Sequence, residues 1–320
     1  MSNMKTPVEP IRLSPAFKDY LWGGTRLKTE YNKQSSLPIV AESWELSVHP
    51  DGASTVADGE WQGLTFAEYV DKSGKAVLGT NAAAFDRFPI LIKFIDAKQN
   101  LSVQVHPDDA YALKNEGEYG KTEVWYILDC EEGAGIYYGF SRDVTKEECA
   151  AAIREGRLTE LLQWVPVKRG EAYLIPAGTV HAIGAGCLIC EIQQNSNITY
   201  RVYDYDRRDK DGNPRQLHVE KALAVSNLEK KALPAPIPDG EDVEIASCRY
   251  FTVHRLRVSG KAERTVTAAC FHSLLVTRGE GTLTMHGKTL TLNKGDSIFI
   301  PAQDAAYTLS GDCELILSYV

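Results

Sequence analysis

One stretch of the sequence decides the fold class, and it reads Gly170-EAYLI-Pro176-Ala-Gly178-Thr-Val-His181. Its first glycine predicts a turn, the five residues that follow predict a short strand, and Pro-x-Gly predicts a sharp bend. The bend carries His181 towards the mouth of a barrel built from antiparallel strands. We therefore expect a β-barrel with a histidine directed into its interior.

A second stretch begins in the same way, because residues 295–303 read GDSIFIPAQ. In this copy Gln303 stands where the first copy has Gly178, and Ala306 stands where it has His181. The repeat predicts two barrels of related design. Only the first copy retains a histidine at this position, so we expect the second barrel to bind no metal and to pack against the first.

Strand-like runs rich in Val, Ile and Tyr dominate the chain, and Gly, Pro, Asp or Asn bound them. Few helical segments lie between these runs, which favours a closed antiparallel barrel or sandwich over a parallel α/β sheet. The predicted strands span residues 89–96, 101–105, 123–128, 135–140, 172–175, 188–194, 199–205, 250–258, 271–277, 281–285, 289–292, 297–300 and 313–318.

Two helices are predicted by capping boxes, in which a threonine is followed three residues later by a glutamate. Thr65 with Glu68 begins the first helix, and Thr145 with Glu148 begins the second. Gly156 is placed to end the second helix, because glycine readily adopts the left-handed conformation that follows many helices. These segments are short, so they add only a few helical turns to a chain that is mainly β.

The domain organisation is predicted from a change in composition. A third helical segment, residues 219–227, comes before the proline-rich run LPAPIPDG at residues 233–240, which predicts a stiff connector. After this run the chain is almost wholly strand-like. We therefore predict a metal-binding, catalytic domain over residues 1–232, a connector over 233–242 and a degenerate β domain over 243–320.

The composition excludes several classes of function. The 320 residues carry a formal net charge of −8, which argues against nucleic acid as a bulk partner. No apolar run reaches the length of a membrane span, and the N-terminal run MSNMKTPVEPIRLSP lacks the apolar core of a signal peptide. The seven cysteines are an odd and scattered set, which favours reduced thiols and a cytoplasmic protein.

Two pairs of polar side chains are spaced to share one face of a strand. Gln104 and His106 stand two residues apart, and so do Lys121 and Glu123. Together with His181, the residues Gln104, His106 and Glu123 supply two imidazoles, a carboxylate and an amide oxygen. This set of donors suits Zn²⁺, Mn²⁺, Fe²⁺ or Co²⁺. Taken singly, a strand histidine such as His106 is more often a satisfied polar residue than a ligand.

The charge of such a site is informative about the reaction. Two neutral histidines, one carboxylate and one amide leave a divalent site at about +1, which favours an oxyanion that develops beside it. An enediolate intermediate requires this kind of stabilisation. The remaining histidines have no comparable neighbours in the sequence, and we expect them to be structural: His49, His218, His254, His272 and His286.

Several motifs in order resemble the type I phosphomannose isomerase family in its short bacterial form, which belongs to the cupin superfamily. They are Trp22-Gly-Gly, Ala41-Glu-Ser-Trp44, LSVQVHPDD at 101–109, GKTEVWY at 120–126, PAGTVHA at 176–182 and NSNITYRVYDYDR at 195–207. The resemblance implies a mainly β fold of two cupin-like jelly-roll barrels with a few short helices. It also implies a metal-dependent enzyme that interconverts mannose 6-phosphate and fructose 6-phosphate through a cis-enediol.

The resemblance also implies roles for individual residues. It implies one zinc ion per chain, held by Gln104, His106, Glu123 and His181. It makes Arg201 the active-site arginine and places Lys121 and Glu191 at the catalytic pocket, with Ser102 and Arg207 at the substrate and its phosphate. The long members of the family carry an additional helical domain, and only the brief segment 145–164 stands in its place here.

The chemistry of these side chains leaves some roles open. A nearby divalent cation disfavours the ammonium form of Lys121, so this residue can act as base or relay, or simply pair with a carboxylate or phosphate. Arg201 suits either the phosphate or the developing oxyanion. Glu191 either moves a proton or orients Arg201, and Arg207 with Arg208 either bind phosphate or are solvated loop charges.

Two other classes of function compete with this interpretation. One is a different metal-dependent cupin enzyme, such as a dioxygenase or another sugar-phosphate isomerase, and Gln104, Lys121 and Arg201 argue against the dioxygenase. The other is a non-catalytic sugar-binding cupin with a regulatory role. No helix-turn-helix module that would accompany such a role is evident, and the set of metal ligands is complete. The sequence leaves the physiological metal and the oligomeric state open, with a monomer as the default expectation, and it indicates no membrane or nucleic-acid partner.

Overall fold

The structure, a computed structural model, describes residues 8–208 and 212–320. The first ten strands are β1 (Ile11–Ser14), β2 (Ala16–Lys18), β3 (Glu42–Leu46), β4 (Thr55–Val56), β5 (Ile90–Ala97), β6 (Val103–Val105), β7 (Glu123–Cys130), β8 (Gly135–Phe140), β9 (Leu162–Pro166) and β10 (Ala172–Ile175). They are followed by β11 (His181–Ile183), β12 (Cys187–Gln194), β13 (Tyr200–Tyr203), β14 (Asp242–Ser247), β15 (Thr252–Val266), β16 (His272–Met285), β17 (Lys288–Asn293), β18 (Ser297–Ile300) and β19 (Ala305–Tyr319). The chain is therefore mainly β with few helices, as predicted.

The helices are short, and two of them begin at the predicted threonines. At the start of the helix Phe66–Ser73, Thr65 and Glu68 form both bonds of a capping box. Thr145 caps its helix on the backbone of Glu148 only, because the Glu148 carboxylate binds Arg142 instead. The helices are α1 (Arg26–Glu30), α2 (Phe66–Ser73), α3 (Asp109–Asn115), α4 (Lys146–Arg154) and α5 (Val219–Val225), with 3₁₀ turns at Lys75–Leu78, Asn81–Ala84 and Leu158–Glu160. None of the helices in the described ranges is long and apolar enough to cross a membrane.

Two sheets form what we call the first β unit. One sheet has six strands in the order β10-β7-β12-β5-β3-β2, and the other has five in the order β13-β6-β11-β8-β9. Their facing sides share one apolar cluster, in which Trp125 and Ile127 of the six-stranded sheet pack with Ile136 and Ile183 of the five-stranded sheet. Helices α4 and α5 cover the outer side of the five-stranded sheet.

The second β unit is an eight-stranded sheet that packs against the first. Its order is β14-β15-β19-β16-β18-β1-β4, with β17 paired to β16. Because side chains alternate along a strand, Tyr126 points away from the interior of the first unit and joins an apolar cluster that also contains Phe299 and Leu275 of the second. The N-terminal strand β1 pairs with β18, with Ile11 opposite Phe299, so this sheet also contains residues from before the connector. The predicted division at residues 233–242 stays a prediction.

The glycines of the second unit explain a difference from the predicted strands. Residues 271–277 and 281–285 were expected as two strands, but they form the single strand β16. A Cβ atom on Gly279 would lie 2.0 Å from the carbonyl oxygen of Asp312, and one on Gly281 would lie 2.4 Å from that of Ser310. The glycines therefore allow β19 to approach closely and do not end the strand.

Candidate active site

The interior of the first β unit receives polar side chains from both of its sheets. Gln104 lies on β6, and His181 begins β11 directly opposite it. His106 follows β6, and Glu123 begins β7 in the other sheet. The predicted bend is present: Gly178 has φ of 86° and its N–H donates to the carbonyl of His106 at 2.8 Å. The four polar side chains are thereby brought to one place from three separate segments of the chain.

Backbone carbonyls fix the orientation of both imidazoles. His106 Nδ1 lies 2.7 Å from the carbonyl oxygen of Ile198, and His181 Nδ1 lies 2.9 Å from that of Thr179. A carbonyl only accepts, so each Nδ1 carries the proton and each Nε2 presents a lone pair to the interior. Burial, helped by the Lys121 ammonium, lowers the pKa of His106 well below its ordinary value and that of His181 to about 4. Both rings are therefore neutral at physiological pH.

The carboxylate of Glu123 completes an electron-rich cluster. Its Oε1 lies 3.2 Å from His181 Nε2 and its Oε2 lies 3.7 Å from His106 Nε2, and these ligand atoms all lie within 4.8 Å of one another. Apart from the Lys121 ammonium, neither oxygen of this fully buried carboxylate has a hydrogen-bond donor among the described residues. Gln104 Nε2 lies 3.4 Å from His181 Nε2. Rotating this amide by about 180° exchanges its nitrogen and oxygen, so that the oxygen faces the cluster. Such a donor set fits a borderline divalent cation.

A chain of buried charges continues from this cluster across the six-stranded sheet. Lys121 Nζ lies 2.5 Å from Glu123 Oε2 and 3.8 Å from Glu191 Oε1, and Lys93 Nζ lies 3.5 Å from the same Glu191 oxygen. Trp125 Nε1–H donates to Glu191 Oε2 at 2.8 Å. Although burial alone raises the pKa of Glu191, the two ammonium groups and this hydrogen bond lower it below the ordinary value. Burial and the neighbouring Glu191 charge raise the pKa of Glu123.

Lys93 and Glu42 belong to this site although the sequence analysis did not select them. Lys93 Nζ lies 3.5 Å from Glu42 Oε2 and 4.7 Å from the centre of the Trp44 ring, and Trp44 Nε1–H donates to the same Glu42 oxygen at 2.7 Å. Burial lowers the pKa of Lys93, but the surrounding carboxylates outweigh this effect and raise it. The available signal was a lysine in the middle of the apolar strand β5, ILIKFIDA.

Arg201 enters the site from the opposite sheet. Its Nε–H donates to Ser102 Oγ at 3.1 Å and its Nη1–H donates to the carbonyl of Gln216 at 3.2 Å. Burial and the nearby Arg215 and Arg207 lower its pKa. Arg201 and Ser102 line a cavity of about 210 Å³, whose other polar lining residues include Gln104, Lys121, Glu191, Lys93, Glu42 and Arg215.

A second cavity, of about 220 Å³, adjoins the first and is rich in arginine. It is lined by Arg207, Arg208 and Arg215, and the two cavities share Arg215 together with Tyr20 and Trp22. The buried Asp204 carboxylate pairs with Arg207 and Arg215 at 2.5 Å each. Arg207 therefore lies in the adjoining cavity and not beside the cluster of His106, Glu123 and His181. Arg215 was not singled out in the sequence, because it follows a polar run with no strand or helix signal.

The other histidines lie outside both cavities. His49 Nδ1 accepts from the Asp51 N–H at 3.1 Å, and its buried Nε2 has no partner in the described ranges. His218 Nδ1 accepts a hydrogen bond from the backbone N–H of Arg201 at 3.3 Å, so it supports the strand that carries this arginine. His254 and His272 contact tyrosine hydroxyls in the second β unit, and His286 lies at the surface of that unit. Their structural role stays a prediction.

Comparison with known families gives two matches along the chain. Residues 11–133 match a family described as phosphomannose isomerase type I, catalytic domain. Residues 242–320 match one described as mannose-6-phosphate isomerase, cupin domain. The first match contains Gln104, His106 and Glu123, and the second covers most of the second β unit.

Individual relatives match over nearly the whole length. The mannose-6-phosphate isomerase of Streptococcus mutans is 38% identical over 315 residues, which cover 97% of this chain and 98% of the relative. Mannose-6-phosphate isomerase ManA of Bacillus subtilis is 38% identical over 320 residues, which cover 98% and 99%. A crystal structure of the mannose 6-phosphate isomerase from Bacillus subtilis superimposes with a TM-score of 0.90 at 39% identity, covering 98% of this chain and 100% of that one.

Proposed function

We propose that this chain, which belongs to the type I phosphomannose isomerase family, interconverts mannose 6-phosphate and fructose 6-phosphate through a cis-enediol intermediate. The observation that carries the proposal is the buried cluster of His106, Glu123 and His181, beside which Lys121 and Glu191 line one cavity. An aldose–ketose isomerisation moves one proton between C1 and C2 and another between their oxygens. It therefore needs an electrophile and a group that exchanges protons within the same small space.

The donor set supports a divalent metal held by Gln104, His106, Glu123 and His181, and we propose zinc, one ion per chain. When bound, the ion supplies a Lewis acid that polarises the sugar carbonyl and stabilises negative charge on its oxygen. The protein residues keep both imidazoles in the tautomer that presents Nε2, through Ile198 and Thr179. Zinc is favoured over harder ions because two of the four donors are imidazole nitrogens.

We assign the transfer of the proton between C1 and C2 to Lys121. It lines the first cavity, and its amine can both donate and accept a proton, unlike a guanidinium group. Glu191 Oε1 lies 3.8 Å from Lys121 Nζ and has no hydrogen-bond donor among the described residues, so it is placed to receive or return that proton. The lowered pKa of Glu191 keeps it ionised at neutral pH, so its carboxylate stabilises Lys121 electrostatically whenever that amine carries the proton.

Arg201 is assigned to anion stabilisation in the same cavity. Its guanidinium group does not give up a proton at physiological pH, so it can only hold negative charge. The contacts with Ser102 and with the Gln216 carbonyl use two of its N–H groups and leave others for a ligand. Because Arg201 lines the cavity that also contains Lys121 and Glu191, we assign it to the oxygen that becomes negative in the enediolate.

The phosphate of the substrate is assigned to the adjoining arginine-rich cavity. The phosphate is on C6, at the far end of the sugar from the C1–C2 bond where the proton moves. Arg207, Arg208 and Arg215 line a separate cavity that shares Arg215 with the first. Two carboxylates offset part of this positive charge, because Asp19 also lines the cavity and Asp204 pairs with Arg207 and Arg215. A guanidinium group can bind a phosphate through two parallel hydrogen bonds, so this cavity suits the anionic end of the substrate.

A coupled assay tests the function directly. Metal-loaded protein should convert mannose 6-phosphate to fructose 6-phosphate, and a chelator should abolish the activity, which added zinc restores. The matched substrate control is unphosphorylated mannose, which lacks the group assigned to the arginine-rich cavity and should react far more slowly. Conversion that continues unchanged after complete metal removal would contradict the assignment.

We further propose a cytoplasmic monomer. All seven cysteines are unpaired in the structure, and Cys187 and Cys190 contribute to two different apolar clusters of the first β unit. Thiol titration of the unfolded, unreduced protein should find seven free thiols. A single chain supplies every side chain assigned to the site, so a monomer is sufficient for the proposed reaction. Sedimentation of the metal-loaded enzyme as a dimer at assay concentration would contradict the monomer.

A further inference from the structure

The second β unit contributes one hydroxyl group to the frame around the candidate metal cluster. Tyr250 lies in the turn between β14 and β15, and its hydroxyl donates to Asp109 Oδ2 at 2.7 Å. Asp109 is the first residue of α3 and follows His106 by three positions. The contact joins parts of the chain that are 141 residues apart, so it links the two β units beside the site.

The other oxygen of the same carboxylate holds the segment that carries Lys121. Asp109 Oδ1 accepts from the Gly120 N–H at 2.9 Å and from Gln194 Nε2–H at 2.8 Å. Gln194 is thereby turned so that its Oε1 accepts from the Thr122 N–H at 2.8 Å. One carboxylate and one amide therefore bind the residues on both sides of Lys121.

Little freedom remains in this segment. The Lys121 N–H donates to the carbonyl of Pro107 at 3.0 Å, so three successive amides, from 120 to 122, all have fixed partners. A Cβ atom on Gly120 would lie 2.4 Å from the backbone of Asp108, so only glycine fits this close approach. Catalytic groups need positions accurate to about half an ångström, and these contacts restrain the backbone that carries Lys121 and leads into Glu123.

We propose that Tyr250 is a positioning residue of the active site. Its hydroxyl fixes the carboxylate of Asp109, which in turn orients Gln194 and holds the segment that carries Lys121 and Glu123. The second β unit thus takes part in the reaction through one hydrogen bond, in addition to its apolar packing. The kinetic part of this inference rests on the proposed isomerase function, whereas the structural part does not.

The test compares two tyrosines that each lose only a hydroxyl group. Tyr250→Phe should lower kcat about fivefold, the effect expected from losing one hydrogen bond, and leave KM within about twofold. It should also accelerate hydrogen–deuterium exchange in residues 120–123. The matched control is Tyr307→Phe, which removes the 2.9 Å contact of a buried hydroxyl with His272 inside the second β unit. The control should leave both kcat and exchange in residues 120–123 unchanged.

A double-mutant cycle separates positioning from a general loss of stability. If Tyr250 acts through Asp109, adding Tyr250→Phe to Asp109→Ala should produce no further loss of kcat and no further exchange. Additive effects in the cycle, or wild-type kcat and exchange in Tyr250→Phe, would overturn the inference. Should the wild-type enzyme lack isomerase activity, the proposed function fails, and the exchange measurements still decide whether Tyr250 holds the segment.

Discussion

The two copies of the Gly-x5-Pro pattern build the same kind of strand and then diverge. In the first copy Gly178 turns the chain and His181 reaches the Glu123 carboxylate at 3.2 Å. In the second copy Gln303 takes the place of the glycine, and its amide bonds the backbone N–H and carbonyl of Val8. The segment that follows the strand thus brings His181 to the candidate metal site in the first unit and holds Val8 in the second.

The interiors of the two units also differ in their polarity. The first encloses Lys121, Glu123 and Glu191 at 5% exposure or less, and such buried charges cost stability unless they are paired. The second is filled by an apolar cluster around Leu274 and Leu283. The proposed catalytic groups are therefore confined to one of two β units that share a strand pattern.

The largest expected effect removes a ligand from the first unit. His106→Ala should lose the metal and lower activity by more than about a hundredfold, because it deletes one of the imidazole donors. Elemental analysis and the coupled assay measure the two effects. The matched control is His272→Ala, a buried histidine of the second unit, which should retain both. Full metal occupancy in His106→Ala would exclude the assigned ligand set.

Lys121→Met should have the next largest effect. It should lower kcat by about a hundredfold or more, remove or shift one limb of the pH–rate profile and abolish solvent deuterium exchange at C1 and C2, with the metal still bound. The control is Lys33→Met, which removes an equally buried ammonium that pairs with Glu45 at 2.6 Å away from the cavity. It should cost stability and leave kcat unchanged. Wild-type exchange rates in Lys121→Met would make Glu191 the better candidate.

The two cavities predict different kinetic signatures for their arginines. Arg201→Ala should reduce kcat by about a hundredfold, as for an oxyanion donor. Arg208→Ala, in the adjoining cavity, should act mainly by raising KM for the phosphorylated sugar. Steady-state kinetics with both variants give the comparison. A pure KM effect for Arg201→Ala would move this residue to the phosphate.

Much of the candidate site in the first β unit could be predicted from residue spacing. The i, i+2 pairs and the Pro-x-Gly bend depend only on local geometry, and the structure has Gln104 on β6, His106 directly after it and Glu123 at the start of β7. The contacts of Lys93 and Glu42 depend on which strands are neighbours and in which register, as when Lys93 faces Glu191 across β5 and β12. A single sequence does not contain that register, and it gave no sign that β1 joins the second unit.

The smallest expected effect concerns the stability of the second unit in acid. Burial, with nearby Arg264 and His254, lowers the pKa of His272 to about 4, against about 6.5 in the unfolded chain. The neutral His272 side chain therefore contributes fully to the stability of the folded state above pH 6.5. This contribution to the free energy of unfolding is at most about 3 kcal/mol, and it is lost as the pH falls towards 4. Denaturant unfolding at pH 7.5 and pH 4.5 should show a smaller acid loss in His272→Phe than in wild type. Equal losses in the two proteins would contradict this origin.

The central claim is that metal chemistry belongs to the first β unit alone. An anomalous-scattering map from crystals grown with zinc tests this claim most directly. We predict one strong peak per chain, between His106, Glu123 and His181, and none in the second unit near Pro301. A peak near Pro301, or no peak at the three ligands in active enzyme, would contradict it.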